Sequence, residues 1–296
     1  MAREPRSLRG RVVAITGGAR GIGKATARAL VLKGAKVAIG DLDRELAERA
    51  AEEIGGETLA LELDVTRRDS FEGFLDQVEE RLGSLDVLVN NAGIMPLGKF
   101  VEEDDATAHR MVDINVHGVM YGMKLALPRM QRRNSGHLVN LASQAGKGGF
   151  PGGATYCGTK HFVVGVSEAV RAELTDTEIE ISVVMPAVVN TELGSGLTET
   201  RAIKVLEPED VADAIVGALE RPKFDVWVPR ESVGIYKLMT LLPRGGREAI
   251  SRALKADKVL AQTDDAARAA YEERAAHSEP ALDPDAEKAE KAETGG

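Results

Sequence analysis

The chain has 296 residues, of which 43% are hydrophobic, and a formal net charge of −9. This length and apolar content suit a soluble α/β protein with a large core, and no apolar run reaches the roughly 18 residues of a transmembrane helix. The acidic balance gives no electrostatic footprint for nucleic acid. The only cysteine, Cys157, cannot form an intramolecular disulfide, which favours a reducing, cytoplasmic location.

Short apolar runs alternate with segments of helical periodicity along most of the chain. The predicted strands span 11–16, 36–41, 58–64, 86–90, 137–141, 181–185 and 224–228, and the predicted helices span about 22–33, 43–54, 69–81, 104–131, 155–175 and 208–219. Continuous Val, Ile and Leu runs are typical of strands buried on both faces. The alternation predicts an α/β fold, a doubly wound parallel sheet of the Rossmann type with seven strands and helices on both faces.

The region after the last predicted strand divides into two parts. Residues 231–260 carry apolar side chains at helical spacing, which predicts two short helices forming a substrate lid. Residues 264–296 are acidic and Ala-rich with almost no large apolar side chain, so we expect a disordered tail outside the catalytic core. We therefore expect 1–263 to form a single dinucleotide-binding and catalytic domain.

A glycine-rich turn, T-G-G-A-R-G-I-G, lies between the first predicted strand and the first helix. Gly17, Gly21 and Gly23 allow the backbone to approach a pyrophosphate closely, and the N–H groups of the helix start, near Ile22, point at the anion. The alternative is an ordinary Gly-rich turn between a strand and a helix. The position after the first strand favours a dinucleotide site.

Asp41 ends the second predicted strand, where a carboxylate can accept hydrogen bonds from both adenosine ribose hydroxyls. It would repel a 2′-phosphate, whereas Arg20 in the turn could pair with one. We weigh Asp41 more heavily, because an unpaired acid at the ribose edge is costly for NADP. The sequence thus favours NAD as cofactor.

Tyr156 and Lys160, in Y-C-G-T-K, lie four residues apart and share one face of a predicted helix. A positive charge beside a phenol lowers the pKa of the phenol, so the pair could move a proton at neutral pH. Such a pair also occurs by chance as a half-buried Tyr beside a solvated Lys. Asn115 and Ser143, upstream, could likewise be a helix cap and a turn residue.

Taken in order, these motifs resemble the short-chain dehydrogenase/reductase family over roughly residues 9–230. T-G-x-x-x-G-x-G spans 16–23, N-N-A-G spans 90–93, and Y-x-x-x-K spans 156–160. The resemblance implies a tetrad of Asn115, Ser143, Tyr156 and Lys160. In it, Tyr156 is the general acid/base, Lys160 lowers its pKa and binds the nicotinamide ribose, Ser143 orients the substrate oxygen, and Asn115 anchors a water in a proton relay.

The resemblance also implies further contacts to the cofactor. Asp64 and Val65 would meet the adenine, and the other expected cofactor residues are Asn91, Ala92, Gly93, Pro186, Val189 and Thr191. One departure is Ala187, which stands where the family has glycine in P-G-x-V-x-T. Because alanine tolerates positive φ poorly, the loop after 186 is expected to differ slightly.

Apolar residues beyond the strand ends predict a lipophilic substrate, although the same residues could simply be core. The expected substrate contacts are Ser143, Met95, Ala145, Phe150, Val188 and Leu193. The chain is thus expected to be an NAD-dependent enzyme that interconverts a lipophilic alcohol and its carbonyl, with no metal site, as a homodimer or homotetramer. Two alternatives remain, an NADP-dependent carbonyl or 3-oxoacyl reductase and a non-catalytic nucleotide sensor.

Overall fold

A computed structural model describes residues 4–194 and 205–253, together with Arg268, Tyr271, Glu272 and Ala275. The strands are β1 Val12–Thr16, β2 Lys36–Asp41, β3 Thr58–Glu62, β4 Val87–Asn90, β5 Gly136–Leu141, β6 Ile179–Pro186 and β7 Asp225–Val228. The helices are α1 Gly21–Leu32, α2 Arg44–Ile54, α3 Arg68–Leu82, α4 Asp105–Val112, α5 Gly118–Gln131, α6 Ala154–Glu173, α7 Pro208–Glu220, α8 Ser232–Thr240 and α9 Arg244–Ala253.

The seven strands form one parallel sheet in the order β3-β2-β1-β4-β5-β6-β7. This confirms the predicted doubly wound sheet. Strand β1 pairs with β2 on one side and with β4 on the other, so the strand order reverses at β1. A crevice opens at such a reversal, at the carboxyl ends of the strands, because the connecting helices leave towards opposite faces.

Two apolar layers cover the two faces of the sheet. Helices α1, α2 and α7 contribute to one layer, and α3, α5 and α6 contribute to the other. On α3, Phe71 and Phe74 are fully buried and meet edge to face, with ring centroids 6.3 Å apart. Such a pair adds about 0.5–1.5 kcal/mol beyond its burial. Both faces are therefore closed, and the crevice is left at the strand ends.

Capping residues set where several helices begin. The Asp43 carboxylate accepts a hydrogen bond of 2.9 Å from the Leu46 N–H and starts α2. Helix α7 begins with Pro208 in its first turn, behind a reciprocal pair between Glu207 and Asp210. In contrast, no described side chain caps α1, and its first turn holds no acid. The positive end of α1 is therefore available to an anion in the crevice.

The helices predicted over 231–260 are present as α8 and α9, but their position differs from the expected lid. Val233 and Tyr236 pack against the core, and the Tyr236 ring lies 5.0 Å from the Trp227 ring, centroid to centroid. None of the described residues of α8 and α9 lines the crevice. Helical spacing identified an apolar face but not its partner. Residues 254–260 lie outside the described part of the chain.

On α6, Phe162 and Val166 are half-buried against the chain's own core. Gly165 between them is exposed. The structure holds one chain, so a homodimer or homotetramer stays a prediction. Within the described residues, no helix has both the length and the apolar character required to cross a bilayer.

Candidate active site

The crevice holds a cavity of about 620 Å³ at the carboxyl ends of the central strands. Nearly all the sequence-predicted site residues lie in its wall. They are Gly17, Arg20, Gly21, Ile22, Asp41, Asp64, Val65, Asn91, Ala92, Gly93, Met95, Ser143, Ala145, Phe150, Tyr156, Lys160, Pro186, Val188, Val189, Thr191 and Leu193. The two others, Gly23 and Asn115, lie behind the wall and shape it.

The glycine-rich turn is tight because its glycines leave no room for side chains. Gly17 and Gly21 have φ of 63° and 49°, a conformation that other residues rarely adopt. A Cβ on Gly17 would lie 2.9 Å from the Ala92 Cα. A Cβ on Gly23 would lie 2.2 Å from the Gly17 carbonyl oxygen, so glycine at 23 lets α1 start directly against the turn.

A network of hydrogen bonds fixes the glycine-rich turn to the end of β4. Thr16 Oγ1 accepts from the backbone N–H groups of Asn91 and Ala92, each at 3.0 Å. Asn91 Nδ2 donates to the carbonyl oxygens of Thr16 and Gly17 at 2.8 and 2.9 Å. The side chain of Asn91 is thus used to hold the floor of the cavity, which is a structural task that its motif alone does not reveal.

Three acids and one base meet at the β2 edge of the cavity. Asp41 accepts from the N–H groups of Ala19 at 3.1 Å and Asp43 at 3.3 Å, and burial raises the pKa of its carboxyl while the Ala19 N–H and the Arg20 charge oppose the rise. Arg20 lies 3.2 Å from a Glu192 carboxylate oxygen and 3.9 Å from one of Asp43. The Arg20 charge is therefore already paired with acids.

Tyr156 and Lys160 lie one turn apart near the start of α6, and each is only 6% exposed. Lys160 Nζ donates to the Leu141 carbonyl oxygen at 2.9 Å and lies 5.7 Å from the centre of the Tyr156 ring. Ser143, just beyond β5, lies close enough to the Tyr156 hydroxyl to lower its pKa, and its Oγ accepts from the Ala145 N–H at 3.1 Å. The phenol and the Ser143 hydroxyl thus converge on one point of the cavity.

The pKa of Tyr156 moves in the opposite direction to the one expected. Burial raises the pKa of its phenol to about 12, although the nearby Ser143 hydroxyl pulls it down. Burial also lowers the pKa of Lys160 to about 8. The difference arises because Lys160 Nζ is directed to the Leu141 carbonyl and the face of the ring. Sequence spacing puts the two side chains on one helical face but does not fix where the ammonium points.

Asn115 is fully buried within a π-helical turn, Asp113–His117, that divides the helix predicted over 104–131 into α4 and α5. Its Oδ1 accepts from the Ile94 N–H at 2.9 Å, and its Nδ2 donates to the Ile94 carbonyl at 2.9 Å and to Thr159 Oγ1 at 3.2 Å. The widened turn aims this amide at the chain beyond β4. Asn115 therefore holds the backbone beside Lys160 in place.

The loop after β6 forms the wall opposite β4. Ala187 donates its N–H to the Val228 carbonyl at 2.8 Å. Among the described residues, only Asn134 combines a positive φ with a side chain, so alanine at 187 is not strained. The backbone strain that alanine would suffer at a positive φ is therefore absent at this position. The Cγ2 of Thr191 would lie 3.2 Å from a Cβ on Gly21, which brings this loop close to the glycine-rich turn.

The end of the cavity beside Tyr156 is apolar. A small cluster of buried residues surrounds the phenol ring, and partly buried side chains extend it. The buried members besides Tyr156 are Met95, Met111, Ala145 and Cys157, and the packed neighbours are Ile94, Leu97, Phe150, Val188 and Leu193. Met95 and the four other apolar residues predicted to contact the substrate all belong to this cluster or pack against it. They therefore form one continuous surface instead of being scattered through the core.

Comparison with known proteins agrees with this geometry. Residues 11–202 match the family described as short chain dehydrogenase. The chain belongs to the short-chain dehydrogenase family. It is 32% identical over 228 residues to an uncharacterised oxidoreductase of Staphylococcus saprophyticus, covering 73% of this chain and 93% of that protein. It is 34% identical over 221 residues to a 2,5-dichloro-2,5-cyclohexadiene-1,4-diol dehydrogenase of Sphingobium indicum, covering 72% and 88%.

Two solved structures extend the likeness. One, a short-chain dehydrogenase/reductase from Burkholderia phymatum in complex with NAD, superposes with a TM-score of 0.73 at 25% identity and covers 79% of this chain and 94% of that one. The other, a 3-ketoacyl-(acyl-carrier-protein) reductase from Brucella melitensis complexed with NADH, has a TM-score of 0.69 at 30% identity and covers 76% and 99%. This chain is thus an oxidoreductase of that family.

Beyond the family match, this short-chain dehydrogenase adds residues to its cavity that sequence reasoning missed. Tyr271 and Ala275 line the cavity, and Arg268 is 2% exposed behind them. We expected the chain from 264 onward to lie outside the catalytic core, and for these residues that expectation is wrong. The low apolar content of the whole tail obscured three residues that are buried there, an arginine, a tyrosine and an alanine.

Proposed function

We propose that this short-chain dehydrogenase interconverts a lipophilic secondary or primary alcohol and its carbonyl compound, with NAD(H) as the cofactor. The observation that carries the proposal is the convergence of the Tyr156 phenol and the Ser143 hydroxyl at the apolar end of the cavity. A hydroxyl pair in an apolar pocket is suited to bind and protonate a carbonyl oxygen. The non-catalytic sensor has no use for such a pair.

The other end of the cavity fits a dinucleotide. The turn from Gly17 to Gly23 has the close approaches that exclude side chains, and α1 presents an uncapped positive end there among the described residues. The two Asp41 oxygens each accept one backbone hydrogen bond, which leaves lone pairs for ribose hydroxyls. When bound, the nicotinamide supplies the hydride donor or acceptor.

The preference for NAD over NADP rests on the charges at the ribose edge. Asp41 and Asp43 both line the cavity there, and the nearby Arg20 is engaged by Asp43 and Glu192. A 2′-phosphate would meet two carboxylates and an arginine that already has partners. The two solved relatives, which hold NAD and NADH, agree with this choice.

The chain's own residues would handle the proton and the orientation. With its pKa near 12, the Tyr156 phenol is protonated at neutral pH, which suits donation to a carbonyl oxygen during reduction. Ser143 would hold the same oxygen by a second hydrogen bond. Lys160, whose pKa is near 8, is mostly charged at neutral pH and would bind the nicotinamide ribose.

The test is a Tyr156→Phe variant assayed beside the wild type and a matched Tyr236→Phe control. Tyr236 packs on Trp227 outside the cavity, so its change should leave turnover within about twofold. Wild type is screened with lipophilic alcohols and NAD or NADP, following absorbance of the reduced cofactor. Tyr156→Phe should lower kcat at least ~100-fold, because general acid/base help is lost. NADH binding should persist.

Undiminished turnover of Tyr156→Phe would contradict the assignment of the proton donor. A wild type that binds NADH tightly but turns over no alcohol or ketone with either cofactor would favour the nucleotide sensor. Faster turnover with NADP than with NAD would show that Arg20 outweighs Asp41 at the ribose edge.

A further inference from the structure

Tyr271 and Ala275, with Arg268 behind them, form one side of the substrate end of the cavity. The three residues are spaced by three and four positions, so a helix places them on one face. All three are at most 9% exposed. The Ala275 carbonyl also accepts a hydrogen bond from Arg110 at 3.3 Å, which ties this face to α4.

Arg268 connects the two loops that flank the cavity. Its Nη2 donates to the Met95 carbonyl at 2.7 Å, and its Nη1 donates to the Leu193 carbonyl at 3.1 Å. Met95 lies on the loop after β4 and Leu193 on the loop after β6, so one guanidinium spans both walls. A Glu272 carboxylate at 3.0 Å balances the charge. Arg268 is thereby held in one position, because a buried arginine with these partners has little freedom to move.

Among the described residues, no group accepts the hydroxyl proton of Tyr271. The Met95 N–H donates to Tyr271 Oη at 2.6 Å, and the Arg268 guanidinium lies 5.0 Å from the centre of the Tyr271 ring. A phenol has one proton and two lone pairs, so this contact occupies one lone pair and leaves the proton. In the hydrogen bonds recorded among the described residues, Tyr271 Oη takes part only as the acceptor from Met95.

The two phenols of the cavity are neighbours. Tyr156 and Tyr271 both line it, and a charge on Tyr156 raises the pKa of Tyr271, as burial does more strongly. Burial keeps Tyr271 protonated throughout the range in which the enzyme would work. The cavity therefore presents two O–H donors to one substrate, one at the reacting carbonyl and one beside it.

We infer that Tyr271 is a specificity-determining residue whose hydroxyl donates a hydrogen bond to a second, non-reacting oxygen of the substrate. The inference rests on the proposed function. It narrows the substrate class to lipophilic carbonyl compounds that carry another acceptor oxygen near the reacting one, such as keto esters, and to the corresponding hydroxy compounds. A plain ketone would leave the buried Tyr271 donor without an acceptor and so be disfavoured.

The experiment compares two probes of equal carbon count, ethyl butyrylacetate and methyl hexyl ketone, in the wild type, Tyr271→Phe and the Tyr236→Phe control. Tyr271→Phe keeps the ring and removes the donor. We expect its kcat/KM for ethyl butyrylacetate to fall about tenfold, as for the loss of one hydrogen bond of the stronger kind, and its value for methyl hexyl ketone to change less than about twofold. The Tyr236→Phe values should match the wild type on both probes.

The selectivity ratio separates recognition from damage to the fold. Tyr271→Phe also leaves the Met95 N–H without its partner, which lowers the melting temperature and would affect both probes alike. The different electrophilicity of the two probes cancels, because each variant is compared with the wild type on the same probe. NADH binding, which depends mainly on the glycine-rich turn and Asp41 and not on Tyr271, reports whether the variant is folded.

An equal loss on both probes, or no loss on either, would overturn the role of Tyr271 while leaving the proposed function in place. A wild type that reduces neither probe, with NADH or NADPH, would refute the proposed function itself and the inference with it. If Tyr271→Phe does not bind NADH, Tyr271→Met takes its place, since a flexible thioether can fill the same space without donating a hydrogen bond.

Discussion

Gly23 and Gly73 are both helical glycines, and the structure predicts opposite effects for the same substitution to alanine. Gly23 is in the first turn of α1, where an added Cβ would lie 2.2 Å from the Gly17 carbonyl oxygen and 2.7 Å from Asn91 Nδ2. Gly73 is inside α3, where an added Cβ would meet no atom within 4 Å. Helix propensity alone would make either change favourable by up to about 1 kcal/mol.

The magnitude for Gly23→Ala follows from what the methyl group meets. Overpacking costs about 1–3 kcal/mol, and the upper end applies here because the nearest atom belongs to the backbone. Subtracting the propensity gain of about 1 kcal/mol leaves a net destabilisation of about 2 kcal/mol. For a chain of this size that corresponds to a fall in melting temperature of roughly 4–8 °C. Gly73→Ala should instead raise it by roughly 2–4 °C.

Cofactor affinity provides the second readout. The methyl group of Gly23→Ala can fit only if the Gly17 carbonyl and the Asn91 amide move, and these atoms fix the phosphate turn to β4. We expect the Kd for NADH, measured by fluorescence titration, to rise at least about tenfold, or about 1.4 kcal/mol. Gly73→Ala should leave it unchanged. A Gly23→Ala protein with wild-type melting temperature and wild-type Kd would refute the reasoning.

Three further predictions concern the cofactor edge, the tail and acid stability. The wild type should prefer NAD to NADP by at least ~10-fold in kcat/KM. Asp41→Ala should reduce this preference, because the acid no longer repels a 2′-phosphate. A variant as selective for NAD as the wild type would contradict the role of Asp41. Truncation after Thr263 should raise KM for lipophilic substrates at least ~10-fold, because the cavity loses one side, and leave the Kd for NADH within about twofold; unchanged KM would place the tail outside the site. His137 is buried, and burial lowers the pKa of its imidazole from 6.5 to about 3, with the Arg6 charge adding to the effect. Between these pH values the unfolded chain binds more protons than the folded one, so stability is present above pH 6.5 and is lost as pH falls below it. The wild type should lose roughly 2 kcal/mol between neutral pH and about pH 5 from this group. In His137→Gln, the free energy of unfolding should depend less on pH between neutral pH and about pH 5. The same pH dependence in the variant as in the wild type would exclude the histidine as the cause.

The sheet and the cofactor end of the site could be read from the sequence because they depend on local patterns. Runs of Val, Ile and Leu placed all seven strands within two residues of their observed ends. The glycines of the turn and Asp41 are tied to strand ends, and parallel strands bring their carboxyl ends to one edge. Once the strand order is set, these residues must therefore lie together at the carboxyl edge of the sheet.

The substrate end could be predicted only in part, because it depends on contacts between distant segments. Met95, Val188 and Leu193 follow strands, and all three lie at the apolar end of the cavity. Tyr271 is 176 residues from its partner Met95, and nothing local indicates that pairing. The available signal was one tyrosine and one arginine at helical spacing in a segment otherwise poor in large side chains. The average composition of the whole tail concealed this spacing of the tyrosine and the arginine.

The bond from Met95 to Tyr271 has a consequence for the order in which this protein matures. Strands β1, β4 and β6, whose ends form the dinucleotide crevice, are synthesised well before Tyr271. Parallel pairing between remote strands is the slow part of folding for such a sheet, and it can be finished while the last segment is still being synthesised. The newborn chain would thus bind its cofactor first and acquire its discrimination between substrates last.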